Sequence, residues 1–385
     1  MAYDRSFLNW NEHGIVEVLA QSKEITKMNT RNTFKFLIAL TLLLVSCTLP
    51  QTQRTPRPTP LTDPTYKLTE NEIAILSSLE QVDDYPLYTM HYYGPYTGKA
   101  YSYVTTSLSR MVISPAWESC RGSWGCSLFA ALGDAENRLY GRNFDWQFSP
   151  ALLLFTDPLD GYASVSMVDI EYLGFADDRS RNLTELPLQE RQALLDAPSL
   201  PFDGMNETGV AVGMAAVPPG DMRPDPQKET IDELQVIREI LDHAATVEDA
   251  VDILGSYNID MVENVPLHYL VASASGDSAL VEFYQGEMEV FRNESPWQVA
   301  TNFLVASTNR HAQGQCWRYD LISRRLEQLA GRISPRDAFR LLRDVSQDST
   351  QWSIVYHMTT GDLNVVMGRD YSGSVHTFHL EQAAR

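Results

Sequence analysis

The residues best suited to chemistry sit in two short stretches, Gly125-Cys126-Ser127 and Gly141-Arg142-Asn143-Phe144-Asp145-Trp146. Arg142 lies 16 positions after Cys126. Two strands joined by a hairpin would use that separation to return the second set of side chains to the start of the first. A thiol would then face a guanidinium and a carboxylate. The cation favours thiolate, the reactive form of cysteine. The carboxylate can orient a nearby amine or another proton carrier. Taken alone, Cys126 reads first as a buried structural thiol, and Arg142 with Asp145 as a surface ion pair at a strand end.

More segments follow in order: Asp203-Gly204-Met205-Asn206-Glu207-Thr208-Gly209, then Thr301-Asn302, then Arg318. With these the sequence resembles the choloylglycine hydrolase and penicillin acyltransferase-type superfamily, which includes acid ceramidase-like amidases. These are N-terminal-nucleophile hydrolases that cleave linear amide C–N bonds. Cys126 matches the family's nucleophile, and Arg142, Asn143 and Asp145 match its GRNxD-type segment. Asp203 to Gly209 matches its DGMNExG segment and Thr301-Asn302 its TN segment, while Arg318 sits in a looser local motif. The resemblance covers roughly residues 65–385. The ordered set is far more specific than any one segment.

The resemblance implies an αββα sandwich and a nucleophile released by autocatalytic cleavage of the Gly125–Cys126 bond. Glycine before the bond lets the backbone adopt a strained conformation at little cost. The freed α-amine, with an ordinary pKa of about 8, would serve as general base for its own thiol. Asp145 would hold that amine and Arg142 would stabilise thiolate. Asn206 and Asn302 would donate to the oxyanion, and Arg318 would add positive charge beside the nucleophile. The thioester would pass its acyl group to water or, in an acyltransferase, to an amine. A non-catalytic ligand-binding lipoprotein on the same fold is the alternative of a different class.

Simpler readings stand beside these. Asn206 and Gly209 suit a turn, and Asn302 a loop cap. Cys120 lies 22 positions before Arg142, off the family spacing; an exported protein meets an oxidising compartment, so Cys120 is expected to pair with Cys316. His311 offers a rival Cys–His dyad with Cys126, but no papain-type motif surrounds either residue.

The elements that must position these residues read as an α+β layered fold. A helix is expected from Thr69 to Leu79, opened by a capping box of Thr69 and Glu72. Strands are expected over Leu87 to Tyr93, Ala100 to Leu108, Arg138 to Phe144, Ala163 to Leu173, and Val210 to Val217 after a turn at Asp203-Gly204. Glu229 to His243 and Thr246 to Leu254 read as helices, followed by a strand pair, Tyr269 to Ala274 and Ser278 to Tyr284. Cys316 to Leu329 and Pro335 to Val345 read as helices, the second with Ser334 as N-cap. A last hairpin joins Ser353 to Thr359 with Leu363 to Met367. Loops over Phe148 to Asp160 and Gly174 to Pro201 are expected to shape the pocket. In the first of them, Leu152, Leu153, Leu154 and Phe155 suit an apolar acyl site or a core strand equally.

Upstream, Arg31 and Lys35 precede an apolar run that ends in Leu44-Val45-Ser46-Cys47, the order of a lipoprotein signal peptide with Cys47 as lipidation site. The expected organisation is an extra N-terminal extension over 1–27, the signal peptide over 28–47 and a Pro/Thr-rich tether over 48–64. A propeptide-like segment over 65–125 and a catalytic domain over 126–385 follow. The protein is thus expected outside the cytoplasm, anchored to membrane through Cys47 and acting on a small-molecule amide. A net charge of -20 repels phosphate backbones, so no nucleic-acid partner is expected. The four cysteines include no CxxC pair and no His/Cys cluster at zinc spacing, so neither metal nor cofactor is implied.

Overall fold

Short runs of alternating, β-branched and aromatic residues make strand the commonest regular element among the described residues. The computed structural model describes residues 65–96, 125–220, 222–261 and 265–383, all within one unit spanning Arg57–Arg385. Helix α1 (Glu70–Ser77) opens on the expected Thr69/Glu72 capping box and leads to strands β1 (Glu80–Asp83) and β2 (Leu87–Tyr93). Next come β3 (Ser127–Ala131), β4 (Leu139–Asp145), β5 (Ala151–Asp157), β6 (Ser164–Asp169), β7 (Asp203–Asn206) and β8 (Val210–Ala216). A short β9 (Thr230–Asp232) precedes α2 (Gln235–His243), α3 (Val247–Ser256) and β10 (Asn258–Asp260). Then β11 (Leu267–Ser273), β12 (Ser278–Tyr284), β13 (Glu287–Arg292) and β14 (Trp297–Ala300) lead to α4 (Trp317–Gln328) and α5 (Pro335–Asp344). The chain closes with β15 (Thr350–His357), β16 (Asp362–Met367) and β17 (His376–His379).

Two large sheets result. One has nine strands in the order β1-β2-β5-β6-β7-β8-β11-β12-β13, and the other six in the order β14-β3-β4-β15-β16-β17. Pairing is antiparallel in both except between β2 and β5. Helix α2 packs on β7 and β8, α3 on β11 and β12, α4 on β3 and β14, and α5 on β4 and β15. The sheets face one another: the Tyr140 hydroxyl of β4 donates to Leu270 O of β11 at 2.9 Å. A Cβ on Gly213 would stand 2.9 Å from both Leu128 and the Tyr140 hydroxyl, so the close approach needs glycine there. This is the four-layer αββα sandwich. The period of two along β3 shows how the layers are cemented. Leu128 and Ala130 join the large core shared with the nine-stranded sheet. Phe129 and Ala131 join a second core with Ile322, Leu326, Leu341 and Leu342 of α4 and α5.

Several expectations need correction. The stretch Glu229 to His243 is not one helix, since its first part is β9, which pairs in parallel with β10. The strand begun at Ala163 stops at Asp169, whose side chain accepts from Glu171 N–H at 2.9 Å and starts a 3-10 turn over Ile170–Leu173. Asp203-Gly204 is not a turn but the start of β7; the turn is Glu207-Thr208-Gly209, with Gly209 at φ 83. Most of the loop expected over Phe148 to Asp160 is β5, with Leu152, Leu153 and Leu154 fully buried. The strand expected over Ala100 to Leu108, Cys120, and the leader and tether with Cys47 lie outside the described residues. Among the described residues no helix is long and apolar enough to cross a membrane.

Candidate active site

Strand β4 sets the site by alternation. Asn143 turns towards α5, donating to Leu342 O at 2.8 Å and accepting from the Ser353 hydroxyl at 2.6 Å. Arg142 therefore points the other way, between the sheets, and is fully buried. The hairpin register pairs Ser127 with Asn143 and Leu128 with Arg142. Cys126, one residue ahead of β3, thus arrives at the end of β4. Its thiol is free and only 6% exposed, and Arg142 Nη2 lies 3.7 Å from Sγ. Burial pushes the Cys126 thiol above its ordinary pKa, while Arg142 and a hydrogen bond from the Asp145 backbone pull it back.

Arg142 has its own anchor. Nη1 contacts Asp203 Oδ2 at 2.7 Å and donates to Phe202 O, and the guanidinium stands 5.1 Å from the Phe144 ring centroid. Asp203 in turn accepts from the Tyr356 hydroxyl and, at 3.4 Å, from Trp352 Nε1. Burial raises the Asp203 carboxyl pKa against the pull of these donors. Sequence reasoning took Asp203 for a turn residue and missed this role.

Arg318, on the first turn of α4, ties the rest together. Nη1 donates to Cys126 O at 2.7 Å and to the Ser127 hydroxyl at 3.0 Å, and Nη2 donates to Asn302 Oδ1 at 2.8 Å. A guanidinium cannot accept a hydrogen bond, so this contact fixes the Asn302 amide. Asn302 Nδ2 faces Ala216 O at 2.7 Å, with its second hydrogen left for another acceptor. Gly125 is wedged beside them: a Cβ there would stand 2.3 Å from Asn302 Oδ1 and 2.7 Å from Arg318 Nη2. Cys316, the N-cap of α4, is disulfide-bonded.

Asp145 is fully buried at the end of β4. Its Oδ2 accepts from Gln347 Nε2 at 2.6 Å and lies 3.7 Å from Arg318 Nη1, and its Oδ1 accepts from the Thr350 hydroxyl. Burial raises its pKa, with Arg318 the strongest opposing influence. Gln347 and Thr350 are further residues at the site that no motif or spacing singled out.

Asn206 is not brought to Cys126. Its Nδ2 donates to Leu241 O at 3.1 Å and Ala244 O at 2.7 Å, and its Oδ1 accepts from Thr208 N–H, the Thr208 hydroxyl and Val210 N–H. The whole amide clamps the β7–β8 turn to the end of α2. Asn206→Ala is therefore expected to lower stability by about 2 kcal/mol or more, because buried backbone groups lose their partners. Turnover per folded molecule should not fall by the roughly 100- to 1,000-fold that follows loss of an oxyanion donor. Denaturant unfolding beside an assay normalised to folded protein separates the two roles. His311 is exposed, and no hydrogen bond among the described residues joins a histidine to Cys126.

Cys126 and Arg142 open onto a cleft of about 610 Å³, counted with the solvent space at its mouth. Phe144, Trp146, Tyr172, Phe202, Met214 and Leu267 supply much of its apolar wall. Leu152, Leu153 and Leu154 do not line it. The buried cation faces the thiol from one side, and apolar surface lines the space in front of both.

The model of the family described as linear amide C–N hydrolases, choloylglycine hydrolase family, matches residues 126–309. The match begins on Cys126 and takes in Arg142, Asp145, Asn206 and Asn302, while Arg318 lies beyond it. No curated protein sequence matches the chain. A mutant of the conjugated bile acid hydrolase from Clostridium perfringens is 17% identical over 66% of this chain and 92% of its own, with a TM-score of 0.47. Penicillin V acylase from Agrobacterium tumefaciens is 18% identical over 66% of this chain and 86% of its own, with a TM-score of 0.46. Likenesses this distant leave the chemistry to be read from the site itself.

Proposed function

Since residues 126–309 match the choloylglycine hydrolase family of linear amide C–N hydrolases, we propose that the protein hydrolyses such amides through a thioester on Cys126, after cutting its own Gly125–Cys126 bond. The observation that carries this reading is the buried thiol 3.7 Å from the Arg142 guanidinium, on the wall of an apolar cleft. The thiol of the released N-terminal cysteine passes its proton to the α-amine, which Asp145 positions, and Arg142 favours the thiolate. Thiolate adds to the amide carbonyl carbon, and the second hydrogen of Asn302 Nδ2 stabilises the oxyanion. Collapse breaks the C–N bond, and the leaving amine takes the proton from the α-ammonium. Water then hydrolyses the thioester to a carboxylic acid and regenerates the thiol. Arg318 holds the Cys126 carbonyl, Asn302 and Asp145 in one frame.

The cleft wall favours an apolar acyl group over a polar one, since burying aromatic and aliphatic surface stabilises by about 25 cal/mol per Å². Pairing of Cys316 with Cys120 would keep the cut segment attached, and lipidation at Cys47 would hold the enzyme at a membrane through its tether. Intact mass and N-terminal sequencing of the purified chain, beside turnover of N-acyl amines with graded acyl chains, test the reading. The expected result is a chain beginning at Cys126 and rates that rise with acyl apolarity. A chain that stays whole and turns over none of the amides would refute it.

A further inference from the structure

When the Cys126 thiol attacks the Gly125 carbonyl, negative charge collects on Gly125 O, and a donor must meet it. The two asparagines do not face that atom. Asn206 is spent on the β7–β8 turn, and Asn302 turns its Oδ1 towards Gly125 and its Nδ2 to Ala216 O. Arg318 Nη1 is engaged with the next carbonyl along, Cys126 O, at 2.7 Å. Gln347 does face it: Nε2 lies 3.4 Å from Gly125 O and 2.6 Å from Asp145 Oδ2.

We propose that Gln347 is the oxyanion donor of self-cleavage, bridging the scissile carbonyl and the Asp145 carboxylate through the two hydrogens of one amide nitrogen. This rests on the reading that the Gly125–Cys126 bond is cut, and names the residue that assists it. The amide is held where the job requires. Gln347 N–H donates to the Thr350 hydroxyl at 2.9 Å, Thr350 N–H returns to Gln347 O at 3.0 Å, and Trp146 N–H donates to Ser349 O at 2.9 Å. The turn from Gln347 to Thr350 is thereby stitched to the end of β4. One nitrogen with two hydrogens satisfies a carboxylate and a carbonyl together. As sulfur adds to the carbonyl carbon, the Gly125 oxygen gains charge and its bond to Gln347 shortens and strengthens. Collapse then breaks the C–N bond, and the thiol proton ends on the Cys126 nitrogen. A thioester joins Gly125 to Cys126 Sγ until water hydrolyses it to a Gly125 carboxylate and a free thiol. Once the carbonyl has departed, Gln347 keeps only its contact with Asp145, so it serves maturation far more than turnover.

The test follows the appearance of the chain beginning at Cys126 by intact mass, using the full-length protein, Gln347→Ala and Gln347→Met. Methionine fills the same space without a donor, so it decides the matter if the alanine variant fails to fold. The expected result is maturation slowed roughly 100- to 1,000-fold, the usual effect of removing one oxyanion donor. Turnover per matured chain should change far less. Maturation of the folded variants at the wild-type rate would overturn the proposal. So would an equal loss of maturation and turnover, because Gln347 would then act only by holding Asp145. A wild-type chain that never matures would instead overturn the self-cleavage reading, and this inference with it.

Discussion

Cys126→Ala is expected to bring the proposed amide hydrolysis down by about 10,000-fold or more, to background, while leaving the fold nearly as stable. The asymmetry follows from what the sulfur touches. In the proposed mechanism it is the nucleophile of every covalent step, but its removal deletes one buried atom, a loss of about 1 kcal/mol on the scale of small core truncations. Arg142 keeps Asp203, Phe202 O and the Phe144 ring without it. The same variant carries a pH signature in unfolding. Burial is the largest influence on the Cys126 thiol and holds its pKa above the ordinary 9.0. The folded chain therefore keeps the proton at a pH where the unfolded chain has released it. The thiol's contribution to stability is full below about pH 9 and is lost as pH rises through the folded value. Alkaline destabilisation should accordingly be shallower in Cys126→Ala than in wild type, measured by urea unfolding between neutral pH and pH 10. Parallel curves would mean the thiol ionises as freely in the fold as out of it.

The contrast between Cys126 and Asn206 shows what could be read in advance. Bringing Cys126 to Arg142 and Asp145 needed only spacing and hairpin register, and pairing Ser127 with Asn143 delivers it. Asn206 was placed by a sequence segment, and a segment gives a position without giving the direction of a side chain. Strand parity supplies the direction. Along β7, Gly204 stands against Leu241 of α2 and Asn206 bonds Leu241 O, so that face looks at the helix. Asp203 has the opposite parity and meets Arg142 across the sheets. Had 203–206 been read as strand instead of turn, the same alternation that sends Arg142 inward would have nominated Asp203. The helices with N-cap signals, at Thr69, Thr246 and Ser334, appeared within two residues of their expected starts, because capping is local chemistry. Gln347 and Thr350 carried no such mark: they lie in a polar turn without periodicity, and only tertiary packing delivers them to Asp145.

Asp203→Ala should be among the most damaging single changes to the fold, costing about 3–5 kcal/mol, because it leaves a guanidinium buried without its counter-charge. Arg142 is 0% exposed, and its ion pair with Asp203 spans 2.7 Å with both side chains out of solvent. The Tyr356 hydroxyl and Trp352 Nε1 lose an acceptor as well. The thermal midpoint should fall on the order of 10 °C. Asp203→Asn keeps the shape and one acceptor oxygen, so it should lie between alanine and wild type. The sharper measurement is a double-mutant cycle with Arg142→Met. Once the cation is gone, Asp203→Ala no longer strands a charge, so the double variant should be more stable than the two single losses added together predict. Thiol labelling at neutral pH should nonetheless be slower in the double variant than in wild type, because methionine offers Cys126 no cation to offset the burial that raises its pKa. Additive losses would show that Asp203 stabilises through its other contacts and leaves Arg142 to be held by the Phe202 carbonyl. Coupled losses with a sluggish thiol would show one buried pair serving both the sandwich and the nucleophile.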